Sequence, residues 1–313
     1  MPLLYSQYQQ LEGKHKDKIT SLAFSTNGSY LAVASLDGKL SMWLTTTGKK
    51  LYAVESGPSD IAMLSIVWMT PSENQLLCGL ANGMVISVHA DNEQVTVTGF
   101  RAHSHLPIEC LVVQGDLVVT GALSEVSLWN HRGATHWVHL GHIHPPPSIS
   151  ANCEADVIVT SLAWAHTMYS AKTLLIAYLH HGILLWDATK SKMAHFLYIK
   201  TLVGSMSISW NGNVIVISNL NNGFDIYHLG DSTLDGFIMQ PCNGLWVPVT
   251  FIHNGYALLG GSTSEQAHIW DTKDRTLLNT LQHDAGDTIL TIAAHFNHKD
   301  DQFLIGTGVY SLE

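Results

Sequence analysis

Apolar residues along this chain come in short runs separated by polar turn residues, and the pattern is clearest between Ser21 and Trp43. An apolar run ends at Phe24 and is followed by Asn27-Gly28, a pair that accepts the positive φ of a tight hairpin. A second run, Tyr30 to Ala34, is closed by Asp37-Gly38, and a third ends at Trp43. The spacing predicts three antiparallel strands. Runs at Met63 to Trp68, Leu76 to Leu80 and Met84 to Val88 repeat the unit, and further copies begin at Ile108, Val157, Ser205, Val247 and Thr288.

Two columns keep the copies in register. Phe24, Trp68, Trp164, Trp210, Phe251 and Phe296 close the first run of a unit, and Trp43, Val88, Trp129, Trp186, Tyr227 and Trp270 close the third. Most third-run intervals lie near a period of about 40–45 residues. The exception, Trp129 to Trp186, holds an insertion from His142 to Asp156 and a long turn from Ala165 to Lys172. The tryptophans of both columns are expected in the core.

Composition narrows the class. Of 313 residues, 46% are apolar and 13% charged, which describes a well-buried globular chain. With 25 acidic and 15 basic residues the formal charge is -10, and such a chain is a poor candidate for direct nucleic-acid binding, which needs a basic face. The longest apolar stretch, Leu174 to Trp186, is interrupted by His180-His181-Gly182, so no membrane span is expected. Met1 to Gln10 has neither a basic nor an apolar leader segment. Cys78, Cys110, Cys153 and Cys242 are scattered and read as buried thiols of a reducing compartment. An intracellular location, cytoplasmic or nuclear, is the expectation.

Trp186-Asp187 and Trp270-Asp271, with Gly13-Lys14-His15 and Gly141-His142 as Gly-His elements, resemble the WD-repeat β-propeller family over almost the whole chain. The resemblance implies an all-β fold: a single β-propeller of about seven four-stranded blades. The approximate blades are 14–57, 58–100, 101–142, 156–200, 201–240, 241–284, and 285–313 with 1–13. The seventh lacks a clear third strand, so the last blade is expected to be incomplete or closed by an N-terminal strand, Leu3 to Tyr8. Only the first unit carries the full set of a buried network that the resemblance implies: His15, Ser35, Asp37 and Trp43. There the Asp holds the His, the His reaches the Ser, and the Ser reaches the indole. Elsewhere Asn82, His181 and Asn222 stand in the Asp place, and Val88 replaces a Trp.

The candidate chemistry is sparse. The chain holds 19 histidines, the densest group being His136, His139, His142 and His144. That group runs into three prolines, and no metal site is expected. No Gly-x-Ser-x-Gly elbow is present, and Gly306-Thr307-Gly308 precedes no helix. No catalytic residue, cofactor or small-molecule substrate is expected. Lys16, Lys18 and Lys39 flank turns on one rim, where a lysine cluster would attract an acidic or phosphorylated segment. Trp246 stands off both columns and is a candidate partner anchor; Trp137, also off the columns, reads as packing between blades. The family resemblance implies a non-catalytic platform for protein or peptide partners in an intracellular assembly. A structural subunit of a coat or other large complex, and a propeller enzyme, are the alternatives.

Overall fold

In the computed structural model, which describes residues 5–11, 15–57, 59–91, 94–133, 135–148, 152–297 and 302–311, the units become six four-stranded antiparallel sheets and one two-stranded sheet. The first sheet is β1 to β4: Ile19–Phe24, Tyr30–Ser35, Lys39–Leu44 and Lys49–Glu55. The second is β5 to β8: Met63–Trp68, Gln75–Leu80, Met84–Ala90 and Val95–Arg101. The third is β9 to β12: Cys110–Gln114, Leu117–Ala122, Glu125–His131 and Trp137–Ile143. The fourth is β13 to β16: Val159–Ala165, Thr173–Tyr178, Gly182–Asp187 and Lys192–Leu197. The fifth is β17 to β20: Ser205–Ile208, Val214–Ser218, Gly223–His228 and Thr233–Met239. The sixth is β21 to β24: Val249–Ile252, Ala257–Gly260, Gln266–Asp271 and Leu277–Gln282. In each, the strand order follows the chain. Among the described residues no α-helix occurs, and no helix is long and apolar enough to cross a membrane.

Contacts divide the molecule into two compact units. Gln7–His144 with Ala293–Gly308 holds the first three sheets, and Pro145–Ile292, with residues at both chain ends, holds the next three. Within each unit the first strands are neighbours: β1 meets β5 and β5 meets β9; β13 meets β17 and β17 meets β21. Hydroxyl side chains bridge them. Thr20 donates to the Met63 carbonyl at 2.5 Å, Ser65 to that of Ile108 at 2.8 Å, and Thr160 to that of Val203 at 2.7 Å. A register shift recurs between Ile19 and Ser21, Met63 and Ser65, and Val159 and Ser161. In β1 and β13 the extra residue is the threonine, Thr20 or Thr160, that aims its hydroxyl at the next sheet; in β5 it is Leu64, and Ser65 beside it makes the bond. Between these sheets lie the second strands, which are almost wholly buried; stacking supplies the core that a lone four-stranded sheet lacks.

The third-strand column has its own mark. The pairing of third and fourth strands is bulged at Trp43, Trp129, Trp186, Tyr227 and Trp270, whereas β7 and β8 run in straight register past Val88. The first-strand column holds less well. Ser25-Thr26-Asn27-Gly28 and Ser209-Trp210-Asn211-Gly212 form the same turn, in which the Asn side chain accepts the N–H of Ser29 or Asn213. Aligned on that turn, Ile208 is the partner of Phe24, and Trp210 matches exposed Thr26. Trp210 is therefore a turn residue, 76% exposed, and not a core residue. Trp137 packs between sheets, its ring 4.7 Å from that of Phe100 on β8. Of the cysteines, Cys78, Cys110 and Cys242 are buried, but Cys153 lies on the surface.

The seventh unit is not a four-stranded blade. Among the described residues it is the hairpin β25 and β26, Asp287–Asn297 and Gln302–Ser311, so Val309 to Ser311 continue the second strand, and residues 312 and 313 lie outside the described residues. Phe303 to Thr307 are only half-buried, unlike the second strands of the six full sheets. The hairpin tip packs on the first sheet. The His295 and Phe24 rings are 6.1 Å apart, and a Cβ at Gly28, whose φ is +75°, would overlap the His295 ring. Closure by a strand from Leu3 to Tyr8 is likewise not observed: Leu3 and Leu4 lie outside the described residues, and residues 5–11 form no strand. Side chains hold this segment instead. The Tyr8 hydroxyl donates to the Thr46 carbonyl at 2.9 Å, and Leu11 packs on Leu31, Val33 and Trp43. The segment thus covers an apolar face of the first sheet.

Candidate functional site

The first sheet joins its turns to its core through one hydrogen-bonded chain. Asp37 sits in the β2–β3 turn, next to Gly38, and the backbone N–H groups of Lys16 and Lys39 donate to its carboxylate at 2.7 and 3.2 Å. The Ser35 hydroxyl also donates to it. His15 places Nδ1 2.8 Å from Ser35 Oγ and Nε2 2.7 Å from Ser41 Oγ. The Trp43 indole N–H donates to that same Ser41 oxygen at 2.9 Å. With His15 neutral, donors and acceptors close only one way. Trp43 donates to Ser41, Ser41 to His15 Nε2, His15 Nδ1–H to Ser35, and Ser35 to Asp37, which assigns His15 as the neutral Nδ1–H tautomer.

The electrostatics agree. Burial pushes the His15 pKa below its usual value, and the attraction of Asp37, 3.6 Å away, does not make up the loss. Burial alone would raise the Asp37 carboxyl. The Lys16 N–H, the Ser35 hydroxyl and His15 outweigh it and hold the pKa low. A buried chain with every member partnered fixes the turn rigidly against the strands.

All four residues expected in the network meet, and the link to Trp43 runs through a fifth, Ser41. The sequence carried a signal for it, since Ser41 and Trp43 lie on the same face of a strand, two residues apart. A second network escaped the sequence. His103 places Nδ1 2.8 Å from Glu125 and Nε2 2.7 Å from Thr120. It follows Ala102 and not Gly, and its carboxylate is Glu and not Asp, so the dipeptide pattern passes over it. The interval of 22 residues from His103 to Glu125 equals that from His15 to Asp37 (37 − 15 = 22). His142 lies on β12, its Nδ1 2.9 Å from Ser127 Oγ, so the insertion begins only after Ile143.

The three candidate lysines surround the Asp37 turn. Lys16 is exposed, and Lys18 and Lys39 are half-buried. Lys18 offers its carbonyl to the Leu36 N–H at 2.9 Å, and the Lys39 ammonium is 3.9 Å from Glu55. Trp246 belongs to the other unit. It follows a turn closed by the Leu245 N–H on the Cys242 carbonyl at 2.8 Å, and with Leu245 it is partly exposed. In the fourth and sixth sheets the Asp of each Trp-Asp pair caps the following turn. Asp187 accepts the Thr189 N–H at 2.9 Å and Asp271 the Lys273 N–H at 2.8 Å. These groups serve structure.

Residues 6–43 match the family described as WD domain, G-beta repeat, a stretch that contains the whole His15 to Trp43 chain. Over 284 residues the sequence is 22% identical to Autophagy-related protein 16 of Arabidopsis thaliana, covering 86% of this chain and 50% of that protein. The chain therefore spans about half the length of that relative.

Proposed function

Starting from a chain that belongs to the WD-repeat β-propeller family, we propose that it is a non-catalytic platform holding protein partners within a larger intracellular assembly. The observation that carries this reading is the Asp37 turn. A buried chain of five side chains fixes it, and Lys16, Lys18 and Lys39 surround it on a protein of net charge -10. A rigid turn presents its charges without an ordering cost on binding. Three ammonium groups fit an acidic or phosphorylated segment of a partner. Trp246, in the other unit, is proposed as a separate anchor. The similarity to an autophagy-related protein makes an autophagy assembly the first setting in which to look.

Affinity capture with three baits tests the proposal: wild type, a Lys16→Glu/Lys18→Glu/Lys39→Glu variant, and Trp246→Ala. Partners held by the lysine turn drop out of the first variant and weaken at raised salt. The same partners at the same yield in wild type and the triple variant would overturn the lysine turn as a docking surface.

A further inference from the structure

The turns between first and second strands differ between the two units. In Gln7–His144 their exposed residues are Thr26 and Asn27, then Thr70, Pro71 and Asn74, then Gly115 and Asp116, none of them a large apolar side chain. In Pro145–Ile292 each presents one large apolar side chain: Met168, Trp210 and Tyr256, which are 66%, 76% and 79% exposed. These are among the most exposed large apolar residues of the molecule.

The three turns form one surface. A Cβ at Gly212, whose φ is +71°, would overlap the His166 carbonyl oxygen, so the second turn lies directly against the first. A Cβ at Gly255 would lie 3.7 Å from the Ser209 side chain, which sets the third turn against the second. Each turn is held from behind. Tyr169 donates its hydroxyl to the Leu229 carbonyl at 3.0 Å and stacks on His195 at 4.7 Å. Ser209 donates to Asn211 at 2.7 Å, and the Tyr5 hydroxyl and the His253 ring are partners. The tips are therefore exposed apolar side chains carried on fixed turns, the arrangement of binding anchors.

Charge and area select the occupant. Lys172, half-buried at the foot of the first turn, is the sole Lys, Arg, Asp or Glu of the three turns, so the tips themselves offer little to a charged ligand; Lys190, Asp231, Lys273 and Asp274 belong to the adjoining turns between third and fourth strands. The three tips expose about 500 Å² together, the size of a functional patch. Two copies meeting through it would bury about 1,000 Å², below the roughly 1,600 Å² of a stable interface. We propose that Met168, Trp210 and Tyr256 dock a short, uncharged segment of another protein that carries two or more bulky apolar side chains. The proposal shares the platform reading in kind but uses other residues in the other unit, so either can fail alone.

The test pans a library of random short peptides against the full chain, synthesises the enriched sequences and titrates them by fluorescence anisotropy. The enriched peptides should be apolar and uncharged. Trp210→Ser or Tyr256→Ser should weaken them by about tenfold or more, with unchanged thermal unfolding, and Lys16→Glu should leave them alone. Met168→Ser stands in if either variant unfolds early. Peptides that are charged, that bind these variants as tightly as wild type, or that fail to enrich would overturn the proposal. So would self-association or binding to phosphatidylcholine vesicles that Trp210→Ser abolishes, since the surface would then serve a second copy or a lipid.

Discussion

The first and second sheets are neighbours in one unit, share a strand order, and differ at one column. The first has Trp43 in its third strand, a bulge there, and a buried chain from the indole to Asp37. The second has Val88, no bulge, and Asn82 in the turn, whose side chain caps only the Met84 N–H at 3.1 Å. In the place of Ser41 it has Ile86, which pairs with Cys78 as Ser41 pairs with Val33, so no hydroxyl stands there to receive an indole. The aromatic residue, the extra residue opposite it and the polar chain therefore occur together in the first sheet and are missing together from the second. A bulge re-aims the side chains around it. Here it seats a large ring over the sheet where its N–H reaches a serine, while a valine fits a straight ladder.

The largest effect that separates the two sheets is expected at this column. Trp43→Ala removes a buried ring and leaves Ser41 without its donor, and should cost about 3–5 kcal/mol in urea unfolding. Val88→Ala, which removes two methyl groups, should cost about half of that or less. Next comes the turn. Asp37→Ala leaves the Ser35 hydroxyl and two backbone N–H groups without their acceptor and should cost roughly 1–3 kcal/mol. Asn82→Ala loses a single capping bond and should cost under about 1 kcal/mol. Equal losses for Asp37→Ala and Asn82→Ala would break the contrast.

A smaller effect should appear with pH. Burial lowers the pKa of both His15 and His103 in the folded chain. Above about 6.5 both the folded and unfolded states hold these rings neutral, and the pair contributes nothing to pH dependence. As pH falls below that value the unfolded rings take protons first, so stability declines down to the folded pKa values and then levels off. His103→Gln should flatten part of this decline, and an unaltered slope between wild type and variant would remove His103 from the account.

Sequence pattern served the fold well where a unit is closed by local chemistry. The Asn-Gly and Asp-Gly turns, the second-strand runs and the Trp43 column each depend on neighbours a few residues away, and six sheets follow from them. It misled at Trp210, because a period counted from tryptophan to tryptophan ignores the two-residue offset that Asn211-Gly212 fixes. It misled again at the chain ends. Leu3 to Tyr8 has strand composition, but whether Tyr5 to Leu11 ladders or packs depends on the apolar face of Leu31, Val33 and Trp43 that it covers. The lysine turn was legible as a cluster of charge. The apolar surface of Met168, Trp210 and Tyr256 was not, since adjacency of three turns in separate repeats is a property of stacking and leaves no local mark.

The platform role of the braced turn is tested most directly by amine-reactive crosslinking of the chain to its captured partners, read lysine by lysine. The account predicts that crosslinks to partner concentrate at Lys16, Lys18 and Lys39 and are sparse at Lys190, Lys192 and Lys273, which lie on turns and strands of the other unit. Crosslinks concentrated on that second group, with the Asp37 turn bare, would contradict it.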